Sequence, residues 1–186
     1  MTDLHPLQHA MERLGVAAVA QAVKMAQLIE NGTMQESEAL VHEHIDRITE
    51  AAIEFTIQFL VTCGTSTPDA AQDLKEMLVY GLDRGVEDSQ AFEGAADALL
   101  LAAANYANRM AALVDHCVKS GDTPSDVRRD GHEQAHKLAS AAVSFTMQLM
   151  IVCSDDQTIA RESTRELETI LIGKLGELYT PPSNLS

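Results

Sequence analysis

The sequence predicts an all-α protein, a helical bundle of about six helices. Strand-type alternation of apolar and polar residues is scarce, whereas Ala, Leu, Met, Gln and Glu, which favour helices, are abundant. Apolar residues recur instead in steps of three and four, the spacing that places them on one face of a helix. Turn and capping residues separate these stretches, so the chain divides into consecutive helices.

Local signals set the limits of the individual helices. Asn31-Gly32 forms a turn that tolerates positive φ after the first helix, and the capping box Thr33 to Glu36 opens the second. Thr67 caps a short third helix, and Ser154-x-x-Gln157 opens the last one. The apolar segments 57–63 and 147–152 could also form short strands, but their Gln, Met and Ala neighbours favour helix. The predicted helices cover residues 7–29, 33–63, 67–81, 88–118, 124–153 and 154–179.

An internal repeat relates the two halves of the chain. Residues 42–63 and 132–153 align with a shift of 90 positions, and eight of these 22 positions are identical. The helix cap before each segment aligns on the same shift. The sequence therefore predicts a duplication. The identical pairs are His42/His132, Glu43/Glu133, Ala51/Ala141, Ala52/Ala142, Phe55/Phe145, Thr56/Thr146, Gln58/Gln148 and Cys63/Cys153.

The repeat implies two three-helix units, residues 1–86 and 87–186, related by a pseudo-two-fold axis. We expect the units to intertwine in one domain, with residues 180–186 as a frayed tail. The two repeated central helices carry the widest apolar stripes. They are therefore expected to pack on each other.

Charge and cysteine content exclude several classes of function. The 186 residues carry 28 Asp and Glu against 13 Lys and Arg, a net charge of −15. Free nucleic acid and anionic membranes are poor partners for such a chain, because both are bound through Lys and Arg. The longest apolar stretch, residues 95–114, is interrupted by polar residues and does not predict a membrane span. Three widely spaced cysteines and no secretion signal predict a reduced, cytoplasmic protein.

The repeated polar residues admit a structural and a functional interpretation. In the structural one, Thr56 and Thr146 bond back to their own helices, the cysteines fill core space and the histidines are half-exposed. In the functional one, the two-fold axis brings His42 and His132 together to form a metal site for Zn or Fe. The candidate ligands are His42, Glu43, Asp46, His132, Glu133 and His136.

Short strings around His132 resemble three known families. His132-Glu133-Gln134-Ala135-His136 resembles the H-E-x-x-H signature of zinc proteases, although no flanking sheet is predicted. Glu133-x-x-His136 is similar to the E-x-x-H of ferritin-like metal proteins, which also need inward carboxylates that only Glu12 and Asp97 could supply. Residues 135–141 resemble histidine phosphotransfer domains, with His136 as the phosphoryl acceptor, but lack the Lys-Gly pair of that family.

These observations favour a non-enzymatic function. The sequence contains no complete catalytic constellation and no Gly-rich phosphate loop, and no cofactor is predicted. The duplicated scaffold and eight methionines predict a regulatory or adaptor protein that acts through protein–protein contacts as a homo-oligomer, most simply a homodimer. The charge favours a basic protein partner. A metal-binding helical bundle, ferritin-like or mononuclear, is the alternative.

Overall fold

The predicted all-α bundle of six helices is confirmed for the described part of the chain. The computed structural model describes residues 5–31, 34–83, 90–121 and 125–179, and their side chains except those of residues 28, 29, 31–44 and 125–127. No strand occurs in these ranges, so the apolar segments 57–63 and 147–152 are not strands. The helices are α1 (His5–Asn31), α2 (Met34–Thr62), α3 (Pro68–Asp83), α4 (Gln90–Ser120), α5 (Ser125–Val152) and α6 (Gln157–Tyr179).

The capping of α3 is confirmed and that of α6 differs from the prediction. The hydroxyl of Thr67 accepts a hydrogen bond from the backbone N–H of Ala70 at 3.4 Å. At α6, the carboxylate of Asp156 rather than the hydroxyl of Ser154 accepts the first backbone N–H groups, at 3.0 and 3.2 Å. A carboxylate directly before the helix satisfies these donors and also opposes the positive end of the helix dipole. The predicted caps at Gly32 and Thr33 lie outside the described residues.

Four long helices form the centre of the bundle. Helix α1 packs on α2, α4 packs on α5, and the two pairs join through α1 against α4 and α2 against α5. The short helix α3 covers α2, and α6 covers α5. Because α2 and α5 each have neighbours on three sides, their central segments carry most of the buried core, including Phe55, Phe59, Leu138 and Leu149.

Helices α2 and α5 run antiparallel. Thr56 of α2 meets Ala142 of α5 near the middle of both helices. Helix α3 folds back along α2, and near the end of α3 a Cβ on Gly81 would overlap the Sγ of Cys153, which directly follows α5. The C-terminal end of α5 therefore lies beside the N-terminal half of α2.

Small and hydroxyl side chains allow α2 and α5 to cross closely, as expected from their apolar stripes. Ala52, Thr56, Ala142 and Thr146 are all fully buried. The hydroxyl of Thr56 lies 3.0 Å from the carbonyl oxygen of Ala52 on its own helix and 3.3 Å from that of Ala142 across the interface. Thr146 donates to the same Ala142 oxygen at 2.9 Å. The structural interpretation of both threonines is confirmed, since each hydroxyl donates a hydrogen bond to the carbonyl oxygen four residues earlier on its own helix.

Other features fall at matching positions in the two halves. The pairs Ile48 and Leu138, and Phe55 and Phe145, are buried on α2 and α5 respectively. The contacts that fasten α3 and α6 differ, however. Glu54 of α2 pairs with Lys75 of α3, whereas at the position 90 residues later Ser144 donates to Glu168 of α6 at 2.5 Å. The duplication and the division into units 1–86 and 87–186 stay predictions.

The α2–α5 crossing has no room for a larger side chain. We expect Ala142→Leu to lower the free energy of unfolding by about 1–3 kcal/mol, because added methylene groups in a packed core force neighbouring helices apart. Urea unfolding followed by circular dichroism measures this change. Ala98→Leu on an exposed position of α4 is the matched control and should have little effect. Equal stability of the two variants would contradict the close crossing.

The contact between Glu54 and Lys75 predicts a pH-dependent stability. Burial raises the pKa of Glu54, but hydrogen bonds from Lys75 and Gln58 and the charge of Lys75 outweigh this effect and hold the pKa below its usual value of 4.5. A carboxylate with a lowered pKa stabilises the fold above the unfolded-state pKa, and this stabilisation is lost as the pH falls through the lower folded-state pKa. Lys75→Met should therefore lower the free energy of unfolding by about 1 kcal/mol at neutral pH.

The difference between Lys75→Met and the wild-type chain should shrink below pH 4.5, as measured by urea unfolding at a series of pH values. Lys119→Met is the control, because its ion pair with Asp115 at 2.7 Å is exposed on both sides. It should leave the free energy of unfolding nearly unchanged throughout. A Lys75→Met effect that stays constant down to pH 3 would contradict the assigned role of Glu54.

Candidate functional site

The structure places the predicted metal ligands of α5 on its N-terminal half. His132 and Glu133 are exposed, and Glu133 accepts a hydrogen bond from Lys137 at 2.7 Å one turn later. This hydrogen bond lowers the pKa of Glu133 and pairs its carboxylate with Lys137 on the exposed surface of α5. His136 is half-buried, with its ring edge-on to Tyr179 at 5.9 Å between centroids.

The antiparallel arrangement does not bring Asp46 of α2 to the histidines of α5. Asp46 is ten residues before Thr56, and His136 is six residues before Ala142. At 1.5 Å per residue they are roughly 24 Å apart along the bundle. Among the side chains that the structure describes, no three His, Cys, Asp or Glu side chains are grouped as a metal site requires. The side chains of His42 and Glu43 are not among those that the structure describes, so the predicted Zn or Fe site stays a prediction.

A different feature, an apolar groove, lies beside His132. The α4–α5 groove, as we call it, has a volume of about 680 Å³ and opens to solvent between residues 106–118 of α4 and 128–135 of α5. This volume is in the range of small-molecule sites. Tyr179, the last residue of α6, closes its inner end. The lining residues are Tyr106, Met110, Leu113, Val114, Cys117, Val118, Arg128, Gly131, His132, Ala135 and Tyr179.

Two glycines allow the walls of the groove to form. A Cβ on Gly15 of α1 would lie 3.1 Å from the hydroxyl oxygen of Tyr106, so the absence of a side chain lets the tyrosine pack against α1. The aromatic ring of Tyr106 is thereby left to line the groove. A Cβ on Gly131 would lie 3.3 Å from Leu113, and this glycine brings α4 and α5 close together at the floor.

Both tyrosines of the groove are held in the neutral form. Burial raises the pKa of Tyr106. Burial and, secondarily, the neighbouring Tyr106 raise the pKa of Tyr179 to about 12. Neither hydroxyl forms a hydrogen bond to another residue within the described ranges. The two tyrosines at the inner end of the groove therefore carry no charge.

Charge in the groove is confined to the outer end. Arg128 lies in the first turns of α5, with His132 one turn further along, while the aromatic pair lies at the other end. None of the lining residues within the described ranges is acidic, in a chain with more than twice as many acidic as basic residues. The groove can accordingly bind an elongated apolar group and interact with a negative charge at its outer end.

The sequence pattern indicates His132 as a candidate site residue but does not indicate the groove. The spacing of the apolar residues of α4 does not reveal that α5 leaves part of their face uncovered. Tyr179 is 47 residues from His132 in sequence, so no local pattern joins them. Gly131 was the available signal, because a glycine within a helix often marks close helix packing.

Comparison with protein-family models, with curated proteins and with solved structures gave no match. None of the helices in the described part of the chain combines the length and apolar content needed to cross a membrane.

The raised pKa of Tyr179 predicts a loss of stability in alkaline solution. An acid whose pKa is higher in the folded state stabilises the fold below its unfolded-state pKa, and this stabilisation is lost as the pH rises from about 10 towards 12. Between pH 9 and pH 11, the free energy of unfolding of Tyr179→Phe should therefore fall by about 1 kcal/mol less than that of wild type. Urea unfolding at both pH values measures this. Identical pH dependence of the free energy of unfolding in Tyr179→Phe and wild type would refute the assignment.

Proposed function

We propose that this protein functions by binding a basic protein partner and does not itself catalyse a reaction. The binding region is an exposed apolar surface on the outer side of α1 and α4. We define this α1–α4 surface by two parts: Val16, Val19 and Val23 on the outer face of α1, and Met25 and Leu101 beside the cavity between α1 and α4. Large apolar side chains exposed on neighbouring helices favour contact with a partner.

The valines of the α1–α4 surface have no evident structural role within the chain. Val16, Val19 and Val23 are spaced by three and four residues and share one helix face, with exposures of 70%, 37% and 52%. The buried residues of α1, such as Leu14 and Ala18, lie on the opposite face. Valine is also a weaker helix former than alanine, so helix propensity gives no reason for three exposed valines. Contact with another molecule would give a reason for these three valines.

A buried amide supports the basic character of the partner. Gln21 is 5% exposed, and its Oε1 has no hydrogen-bond partner among the described residues. Its side chain lines a cavity of about 410 Å³ in the α1–α4 surface, together with Ala22, Met25 and Leu101. An unsatisfied buried acceptor is unfavourable. A Lys or Arg side chain entering the cavity would donate the missing hydrogen bond.

The net charge supports the same choice of partner. A charge of −15 attracts basic proteins over long range and accelerates their encounter with the chain. A second copy of the chain carries the same charge and is repelled. Salt therefore distinguishes the two associations: it weakens binding of a basic partner and favours the homodimer that the sequence also predicts.

The substitution Gln21→Met should change partner binding and the free energy of unfolding in opposite directions. Methionine has nearly the same size and removes the unsatisfied oxygen, so the free energy of unfolding should rise by about 1 kcal/mol. Binding of the partner should weaken about fivefold or more, because the hydrogen bond to the basic side chain is lost. The partner is identified by quantitative co-purification from the native cells, and its binding to the purified chain is measured by calorimetry.

A double variant, Val16→Ser/Val23→Ser, tests the apolar part of the α1–α4 surface and should lower partner binding at least tenfold. Ile159→Ser on α6 removes a side chain of similar exposure (63%) and is the control. Light scattering at low and high salt reports the oligomeric state. The proposal is refuted if the double variant retains the same proteins as wild type. A salt-promoted dimer that the double variant abolishes would assign the surface to self-association instead.

A further inference from the structure

We propose that the α4–α5 groove binds a small amphiphile with one anionic group, of the class of medium-chain carboxylates. The proposal goes beyond protein–protein interaction and does not depend on it, since the groove shares no residue with the α1–α4 surface. The anionic group lies at Arg128 and the apolar chain extends towards Tyr106 and Tyr179.

The shape of the groove indicates an elongated apolar ligand. It follows α4 over residues 106–118, about 18 Å at 1.5 Å per residue. The walls along this length are the aliphatic and sulfur-containing side chains of α4 and Ala135 of α5. Water in such a groove has few hydrogen-bonding partners, so its replacement by an alkyl chain is favourable.

The outer end of the groove indicates a negative charge on the ligand. Arg128 is exposed there, and no described carboxylate forms an ion pair with it. His132 follows at i+4 and adds a second nitrogen-bearing side chain on the same face. The described lining residues include Arg128 and no carboxylate, despite the net charge of −15, so among these residues an anionic ligand has a counter-charge and a cationic one has none.

The inner end of the α4–α5 groove indicates that the end of the ligand away from its anionic group is uncharged. Tyr106 and Tyr179 keep their protons over the physiological range and provide no charge. The hydroxyl of Tyr106 is directed to Gly15 of α1, which leaves its ring towards the groove. The polarity of the groove therefore matches that of a carboxylate with an alkyl tail.

The three tyrosines of the chain provide a direct test of location. Tyr106 and Tyr179 line the groove, whereas Tyr80 lies on α3, 63% exposed and outside the groove. With 3-fluorotyrosine at all three positions, the ¹⁹F spectrum of the full chain contains three signals, which single Tyr→Phe variants assign. Sodium decanoate below its micelle concentration should shift the Tyr106 and Tyr179 signals saturably and leave the Tyr80 signal in place. The proposal is overturned if no signal shifts or if Tyr80 shifts equally.

Two substitutions test the apolar and the charged part separately. Ala135→Phe fills the groove and should weaken decanoate binding at least tenfold, while Ala98→Phe on the exposed face of α4 should bind like wild type. If Ala135→Phe does not fold, Val114→Phe fills the groove from its rim. Unchanged binding in the groove-filling variant overturns the site.

Arg128→Gln tests the anionic group by comparing decanoate with uncharged decanol. Arg128 is exposed, so the loss of decanoate affinity should be about three- to fivefold, with decanol affinity unchanged. Equal effects on both ligands, or none on either, would overturn the assignment of the carboxylate to this end. Loss of decanoate binding in Ala135→Phe with normal partner binding would show that the groove and the α1–α4 surface act independently.

Discussion

The close crossing of α2 and α5 is the constraint on which the rest of the architecture depends. Two alanines and two threonines meet where the helices touch, and one carbonyl oxygen, that of Ala142, receives hydroxyl groups from both helices. Since nothing larger fits, the crossing fixes the spacing of the central helices. The remaining helices pack against the faces of this pair that stay free: α1 and α4 cover one side, and α3 and α6 cover individual helices.

Distance from the crossing explains why the groove forms where it does. On α5, residues near the crossing such as Leu138 and Val143 are fully buried, but none of residues 128–137 is buried. Over these residues α5 packs mainly on α4, held by Gly131 and by the ion pair between Arg109 and Asp130. The apolar face of α4 is wider than this contact, and the uncovered part becomes the wall of the groove.

The helical architecture could be predicted from the sequence, because apolar spacing and capping residues act locally. The limits of α2, α5 and α6 follow from such signals within a few residues, and Thr67 caps α3 as its sequence indicates. The cap of α6 was assigned to Ser154, although the nearer Asp156 competes more effectively for the same N–H groups. The relative direction of α2 and α5 was not predictable, because it depends on tertiary contacts between residues far apart in sequence. That direction separates Asp46 from His136. The groove depends on how much of the apolar face of α4 is covered by α5, which no local pattern reveals.

The matching residues of the crossing also have a consequence for concentrated solutions. Ala52 and Thr56 of α2 present the same chemical groups as Ala142 and Thr146 of α5, so at these four positions an α2 helix from a second chain offers the same groups as α5 does. Within one chain, covalent connection keeps the effective concentration of α5 near α2 in the millimolar range. Exchange of helices between chains becomes competitive only when the protein itself approaches that concentration. The connection between α2 and α5, rather than the chemistry of their interface, keeps the crossing within one molecule.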